Sequence, residues 1–194
     1  MPDQERRRAI LRLTLAFLHL HRRNLRGLDD DPAVPSLAPD LVAAPHPPCA
    51  ALDRLSDEVA AGHAEGRIDG FGARALSERV ASMTAQQCGC ERIAGTPLPY
   101  VYSLLIYRTT YLYCLLLPLS LVEAAGWLTP LFVGVVAYVF LGLAEVSEEL
   151  SHPFGTTPNA LPLDAICRAA EISLAPHLGE PAPVPLEARN FYLS

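Results

Sequence analysis

Residues 98–146 read LPYVYSLLIYRTTYLYCLLLPLSLVEAAGWLTPLFVGVVAYVFLGLAEV, and this stretch decides the fold. From Leu98 to Ala144 it carries two charged residues, Arg108 and Glu123. The run from Leu98 to Val122 holds one charge, and the run from Ala124 to Ala144 holds none. The second run would be about 31 Å long as a helix, which matches a bilayer core of roughly 30 Å. Between the runs, VEAAGWLTP supplies Glu123, Gly126, Trp127 and Pro130. These residues suit a bend at the interface, where an indole ring sits well at headgroup level. The pattern predicts a transmembrane hairpin with spans of about 98–122 and 124–146.

Two residues complicate a simple anchor. Arg108 lies within the first run, and an isolated Arg at a helix centre costs about 2.5–3.5 kcal/mol on insertion scales. It should be a buried charge in the span that faces water, a carboxylate or a partner subunit. Alternatively, it sits at the inner interface and leaves a short apolar remainder. Pro118 removes a backbone donor and frees the carbonyl of Cys114, so a kink or break is expected. Two helices cannot shield these groups alone, which implies an oligomer.

Outside the hairpin the chain is charged and rich in Ala and Pro. Residues 1–97 form a helical region that includes a Pro-rich loop over 27–48, and residues 147–194 form a further helix and tail. Ile10, Leu13, Phe17 and Leu20 recur on one helical face, widened by Leu11, Leu15 and Leu18. Seven Arg lie in the first 26 residues. Such a helix can rest on an anionic membrane surface or pack within a bundle. Further helices are expected over Ala50–Gly66 and Phe71–Ile93, the latter with Leu76, Val80, Met83 and Gln87 on one stripe. Leu163, Ile166, Ala170 and Leu174 give an apolar face to the last helix.

Arg supplies all fifteen basic residues, and the net charge of -6 gives no reason to expect nucleic-acid binding. Residues 1–97 carry twelve Arg and the hairpin turn none, so both termini face the cytoplasm. No secretory signal peptide is visible. The five Cys lack a framework spacing, and Cys88-x-Cys90 has no further ligand pair beside it. No metal and no cofactor is expected. No nucleophile with a base, catalytic carboxylate pair or phosphate-binding loop stands out, so the chain is not expected to be an enzyme.

Three pieces in order carry a resemblance: ERIAGTPLP at 91–99, YRTTYLYC at 107–114, and PFGTTPNALPLD at 153–164. Together, from Glu91 to Leu174, they resemble the C-terminal half of a bacterial bestrophin-family channel. HLHRRNLRG at 19–27 more loosely resembles the cytoplasmic helix after that family's second membrane span. The resemblance implies an all-α membrane protein, a homopentamer around a central pore in the bacterial inner membrane. It implies passive flow of chloride, another anion or a monovalent cation, with the lipid bilayer and permeant inorganic ions as partners besides self. It places a narrow apolar aperture at Leu98, supported by Pro97 and Pro99.

In animal members an acidic run after Pro-Phe-Gly clasps calcium. Here Thr156, Thr157, Pro158, Asn159 and Ala160 follow, and calcium wants carboxylates among its oxygen ligands. A calcium clasp of that kind is therefore not expected. Pro153, Phe154, Gly155, Pro162 and Asp164 instead read as a cytoplasmic docking turn. Gly155 permits the bend, Pro162 suits the first helical turn, and Asp164 complements the helix dipole. Glu145, Glu148 and Glu149, at the inner end of the last span, suit interfacial or subunit contacts. The family's first two spans, including the one that lines its neck, have no counterpart here. A downstream start site is the reading preferred over a truncated paralogue. The alternative function is a non-conducting subunit or scaffold that co-assembles with full-length channels.

Overall fold

The structure is a computed structural model, and it describes residues 4–28, 38–96 and 99–188. Among the described residues six α-helices follow one another: α1 (Gln4–Arg26), α2 (Pro47–Ala64), α3 (Gly70–Gly95), α4 (Tyr100–Ala125), α5 (Thr129–Leu150) and α6 (Leu163–Leu178). A single 3-10 turn, Gly126–Leu128, joins α4 to α5. Among these residues there is no β-strand. The chain divides into two compact units, one of residues 1–95 and 154–194, the other of residues 96–153.

In the first unit α1 is the central element. It packs on α2, α3 and α6, and α2 packs in turn on α3. The core gathers Ala16, Phe17 and Leu20 of α1 with Ala51, Leu52 and Leu55 of α2 and Val80 of α3. Leu20 is only 1% exposed. The bundle reading of α1 is therefore the one observed, and several of its Arg residues pair with protein carboxylates. Arg6 lies 3.0 Å from Glu65, and Arg12 lies 3.1 Å from Glu180.

Local chemistry sets the helix ends. Pro47 and Pro48, assigned from the sequence to the Pro-rich loop, occupy the first turn of α2, where a missing N–H costs nothing. His46 caps that helix, its Nδ1 accepting the Cys49 N–H at 3.4 Å. The α2–α3 turn folds tightly, with Gly62 O accepting from the N–H of both Arg67 and Ile68 at 2.9 and 3.0 Å. A Cβ on Gly62 would stand 2.6 Å from Cδ1 of buried Ile68, so a larger residue there forces the Ile68 side chain to shift. Gly179, at φ 73°, closes α6 in the left-handed conformation, and the Glu180 N–H returns to Ala175 O at 3.1 Å.

The apolar face expected for α6 needs correction. Cys167, Ala175 and Leu178 are buried, whereas Ile166 is 50% exposed. The buried stripe is rotated by about one residue, because α6 must also turn Asp164 toward α1.

The second unit is a hairpin. Its two helices have 26 and 22 residues, about 39 and 33 Å long. The bend falls at Gly126–Leu128, within the expected VEAAGWLTP segment. Gly126 supplies a positive φ of 54°, and Pro130 stands in the first turn of α5. α4 continues through Pro118 without a break. Where the helices meet, the residues are small: Thr110, Thr129 and Ala144 are the buried ones. The Thr110 hydroxyl donates to Ile106 O at 2.8 Å and that of Thr129 to Gly126 O at 2.6 Å, so neither polar group is left open.

Almost everything else in the hairpin faces outward. Leu115, Leu119 and Tyr138 are 72%, 74% and 81% exposed, and only 11% of its most apolar window is buried. In water such a surface would be costly, at about 25 cal/mol for each Å² of apolar area. A core helix of a soluble protein would be mostly buried, so the surroundings that suit this hairpin are hydrocarbon.

Candidate functional site

Pro97 and Leu98 lie outside the described residues. Pro99 stands directly before α4, with φ −55° and ψ 126°, and its carbonyl accepts the Tyr102 N–H at 2.8 Å. The proline is extended and its carbonyl opens the first helical turn, so the chain changes from extended to helical at this residue.

Arg108 is exposed on the surface of α4. Two helices offer a single seam, and that seam is filled by Thr110 and Ala144. A charge on any other face is left to the surroundings.

Near the end of the hairpin that holds both its chain termini, α4 and α5 enclose a small cleft lined by Tyr102, Ser103, Tyr107, Ser147 and Glu148. The Ser103 hydroxyl donates to Glu148 Oε2 at 3.4 Å. His152, one turn beyond, approaches Glu148 to 3.9 Å. The sequence reading gave roles to the glutamates but not to Tyr102, Ser103, Tyr107 or Ser147. Their spacing of three to five residues on facing helices was the available signal.

The docking turn is built as follows. Phe154 is buried, at 7% exposure, within the first unit. The Ala160 N–H bonds to Thr157 O at 3.0 Å, and the Leu163 N–H to Leu161 O at 2.8 Å, so the segment makes two short turns. Pro153 and Gly155 are half-buried along it. Pro162 is the residue before α6 rather than a residue of its first turn. Asp164 does more than complement the helix dipole. Its two carboxylate oxygens take Arg22 at 2.8 Å and Arg26 at 2.6 Å, and these Arg side chains are 13% and 6% exposed. A single carboxylate thereby ties the start of α6 to the end of α1. Nearby, His19 of α1 approaches Glu171 of α6 to 2.8 Å, and Arg168 reaches the same Glu at 3.1 Å.

A second polar cluster went unrecognised in the sequence. Glu91, which opens the ERIAGTPLP motif, accepts at Oε1 from Asn24 of α1 at 3.1 Å and from Gln87 of α3 at 2.9 Å. His46 comes within 3.4 Å of the same oxygen through Nε2. The Gln87 amide also reaches Cys49 Sγ at 3.1 Å. His21 stacks on Phe17 in the same region, with ring centroids 5.6 Å apart. Burial lowers the pKa of His21 below its ordinary 6.5, Glu91 partly opposes this, and His46 adds to it. No short motif announces the cluster, since its members come from three helices. Among the described residues, no three His, Cys, Asp or Glu side chains are placed to hold a metal ion, and no disulfide joins the cysteines.

A chain that carries an exposed apolar hairpin and a charged helical bundle defines an all-α membrane protein. The family model of bacterial and fungal bestrophin proteins matches residues 1–176, and the chain belongs to the bestrophin family. A voltage-dependent anion channel-forming protein of Mesorhizobium japonicum is 46% identical over the whole of this chain, which spans 64% of that protein. A voltage-dependent anion channel-forming protein of Escherichia coli K12 is 36% identical, again over the whole chain and 66% of its own length. Among solved structures, a bacterial bestrophin homologue from Klebsiella pneumoniae superposes with a TM-score of 0.85 at 29% identity, over 92% of this chain and 68% of that one.

Proposed function

We propose that this chain belongs to a passive ion channel subunit that conducts anions through a central pore shared by several copies, five by family resemblance. The observation that carries the reading is the hairpin of α4 and α5. Its outer surface is apolar almost throughout, yet it presents Arg108 at an exposed position. A cation on a hydrocarbon-facing surface is costly. Water in a pore, or a neighbouring subunit, gives Arg108 a favourable environment. The names carried by the relatives from Mesorhizobium and Escherichia favour anions as the permeant ions.

The membrane in this reading is the bacterial inner membrane. α4 and α5 cross it as two spans, and both chain ends lie in the cytoplasm with the Arg-rich helices. Conduction requires no catalysis. Leu98, flanked by Pro97 and Pro99, is proposed as the apolar aperture. Several Leu side chains in a ring form a hydrophobic constriction that gates by dewetting or strips hydration water. The docking turn, held by Asp164, keeps the last helix on the bundle.

The experiment is ion flux into liposomes containing the purified chain, with Leu98→Ala in parallel. We expect flux above protein-free vesicles and a larger or less selective flux from the variant. Equal flux and equal ion preference in the two proteins would remove Leu98 from the aperture. No flux from either would count against conduction by this chain and favour the co-assembling scaffold.

A further inference from the structure

We propose that His21 is the proton-accepting element of a pH-sensitive latch that joins α1 to the last turns of α3. The latch is centred on Glu91. Its Oε1 draws together Asn24 from α1, Gln87 from α3 and His46 from the start of α2. The tautomer of His46 follows from its bonds. Nδ1 accepts the Cys49 N–H, so the proton sits on Nε2, the atom that approaches Glu91.

His21 stands beside this hub, and among the described residues both its ring nitrogens are buried without a hydrogen-bond partner. Gln87 is 1% exposed, and its Oε1 is likewise buried without a partner. A buried acceptor with nothing to accept is costly, and a buried imidazole stays neutral until acid forces a proton onto it. The charged groups that α6 presents to α1 are engaged elsewhere. On α6, Asp164 holds Arg22 and Arg26, while Glu171 lies against His19 and Arg168. The groups that face His21 are therefore Glu91 from α3 and His46 from α2.

When the ring takes a proton from solvent it becomes a cation with two donors. It then competes with Asn24 and His46 for Glu91 and carries a charge into a buried seam. The sign follows from burial. The folded-state pKa of His21 is lowered from 6.5, so its contribution to stability is fully present above that value and is lost as pH falls through the folded value. Acid thus loosens the seam between α1 and residues 87–95 of α3. By chain continuity alone, that helix end leads within a few residues to Pro99 and the start of α4. A regulatory role for the latch rests on the channel reading; the latch itself does not.

The test is thermal unfolding of the whole chain in detergent across roughly pH 5 to 8, the range in which histidine titrates. The wild-type midpoint is expected to fall by about 2–4 °C or more on the acid side. His21→Gln should flatten that acid limb. Glu91→Gln removes the group that favours the cation and should move the limb to lower pH by roughly half a unit or more. His46→Gln removes a group that opposes it and should move the limb the other way by a similar amount. An acid limb retained in His21→Gln overturns the proposal. If that variant does not fold, unshifted limbs in the other two overturn it.

Chloride flux into liposomes at the same pH values separates the two readings. A reversible pH dependence that His21→Gln abolishes supports regulation through the latch. Flux with the same pH profile in both proteins overturns regulation. Absence of flux at every pH sinks the channel reading for this chain, and the unfolding data still decide the latch.

Discussion

Asp164 offers the sharpest test of how the bundle is held. Replacing it with Asn removes one negative charge and keeps the shape. In the native fold its oxygens lie 2.8 Å from Arg22 and 2.6 Å from Arg26. Those guanidiniums are 13% and 6% exposed, so neither recovers full hydration when its partner is lost. Removing one partner of a buried pair costs about 3–5 kcal/mol. The Asp164 side chain is itself 27% exposed, so hydration recovers part of that cost and about 2–2.5 kcal/mol remains. Loss of a negative charge in the first turn of α6 adds roughly 0.3–1 kcal/mol. A total of about 3 kcal/mol corresponds to a roughly hundredfold change in a local opening equilibrium. Hydrogen–deuterium exchange over Leu163–Leu178 reads that equilibrium, since α6 packs on α1 and on no other described helix of the unit. Amides of α6 should exchange roughly a hundredfold faster in Asp164→Asn than in wild type. Protection within about threefold of wild type would show that apolar contacts of Cys167, Ala175 and Leu178 hold α6 without the carboxylate.

Other substitutions probe the core and the turn. Leu20→Ala opens a cavity at a side chain that is 1% exposed and should cost about 2–5 kcal/mol, lowering the unfolding midpoint by roughly 5–15 °C. Gly62→Ala drives a methyl to within 2.6 Å of Ile68 Cδ1 and 2.9 Å of an Arg6 nitrogen; the expected loss is about 1–3 kcal/mol by the same assay. Leu98→Ala should increase or relax ion flux in liposomes.

The helices themselves were legible in the sequence, because apolar spacing and turn residues are local signals. α1 extends further toward the N-terminus than the expected start at Ile10, and α2 begins at Pro47 rather than Ala50. The reasons are polar first turns and prolines, which a helix tolerates at its start but which a periodicity argument discounts. Of the stripe of Leu76, Val80, Met83 and Gln87 on α3, Val80 and Gln87 are buried, Met83 packs against the core cluster, and Leu76 is half-buried outside it. Ile166 was misplaced because α6 turns to satisfy two arginines on another helix, which no local pattern encodes.

The sequence by itself determined the hairpin. Two long apolar runs joined by the VEAAGWLTP segment allow few arrangements, and hydropathy is a property of composition. It also supplied the ordered motifs of the family, from Glu91 to Asp164. Tertiary structure decided which polar groups meet. The Arg22–Arg26–Asp164 tie spans 138 residues between Arg26 and Asp164, and the Glu91 cluster draws on three separate helices. Such contacts depend on how helices pack. The free energy of a buried charge or an unpaired imidazole depends on its neighbours in space, and their order along the chain does not supply them.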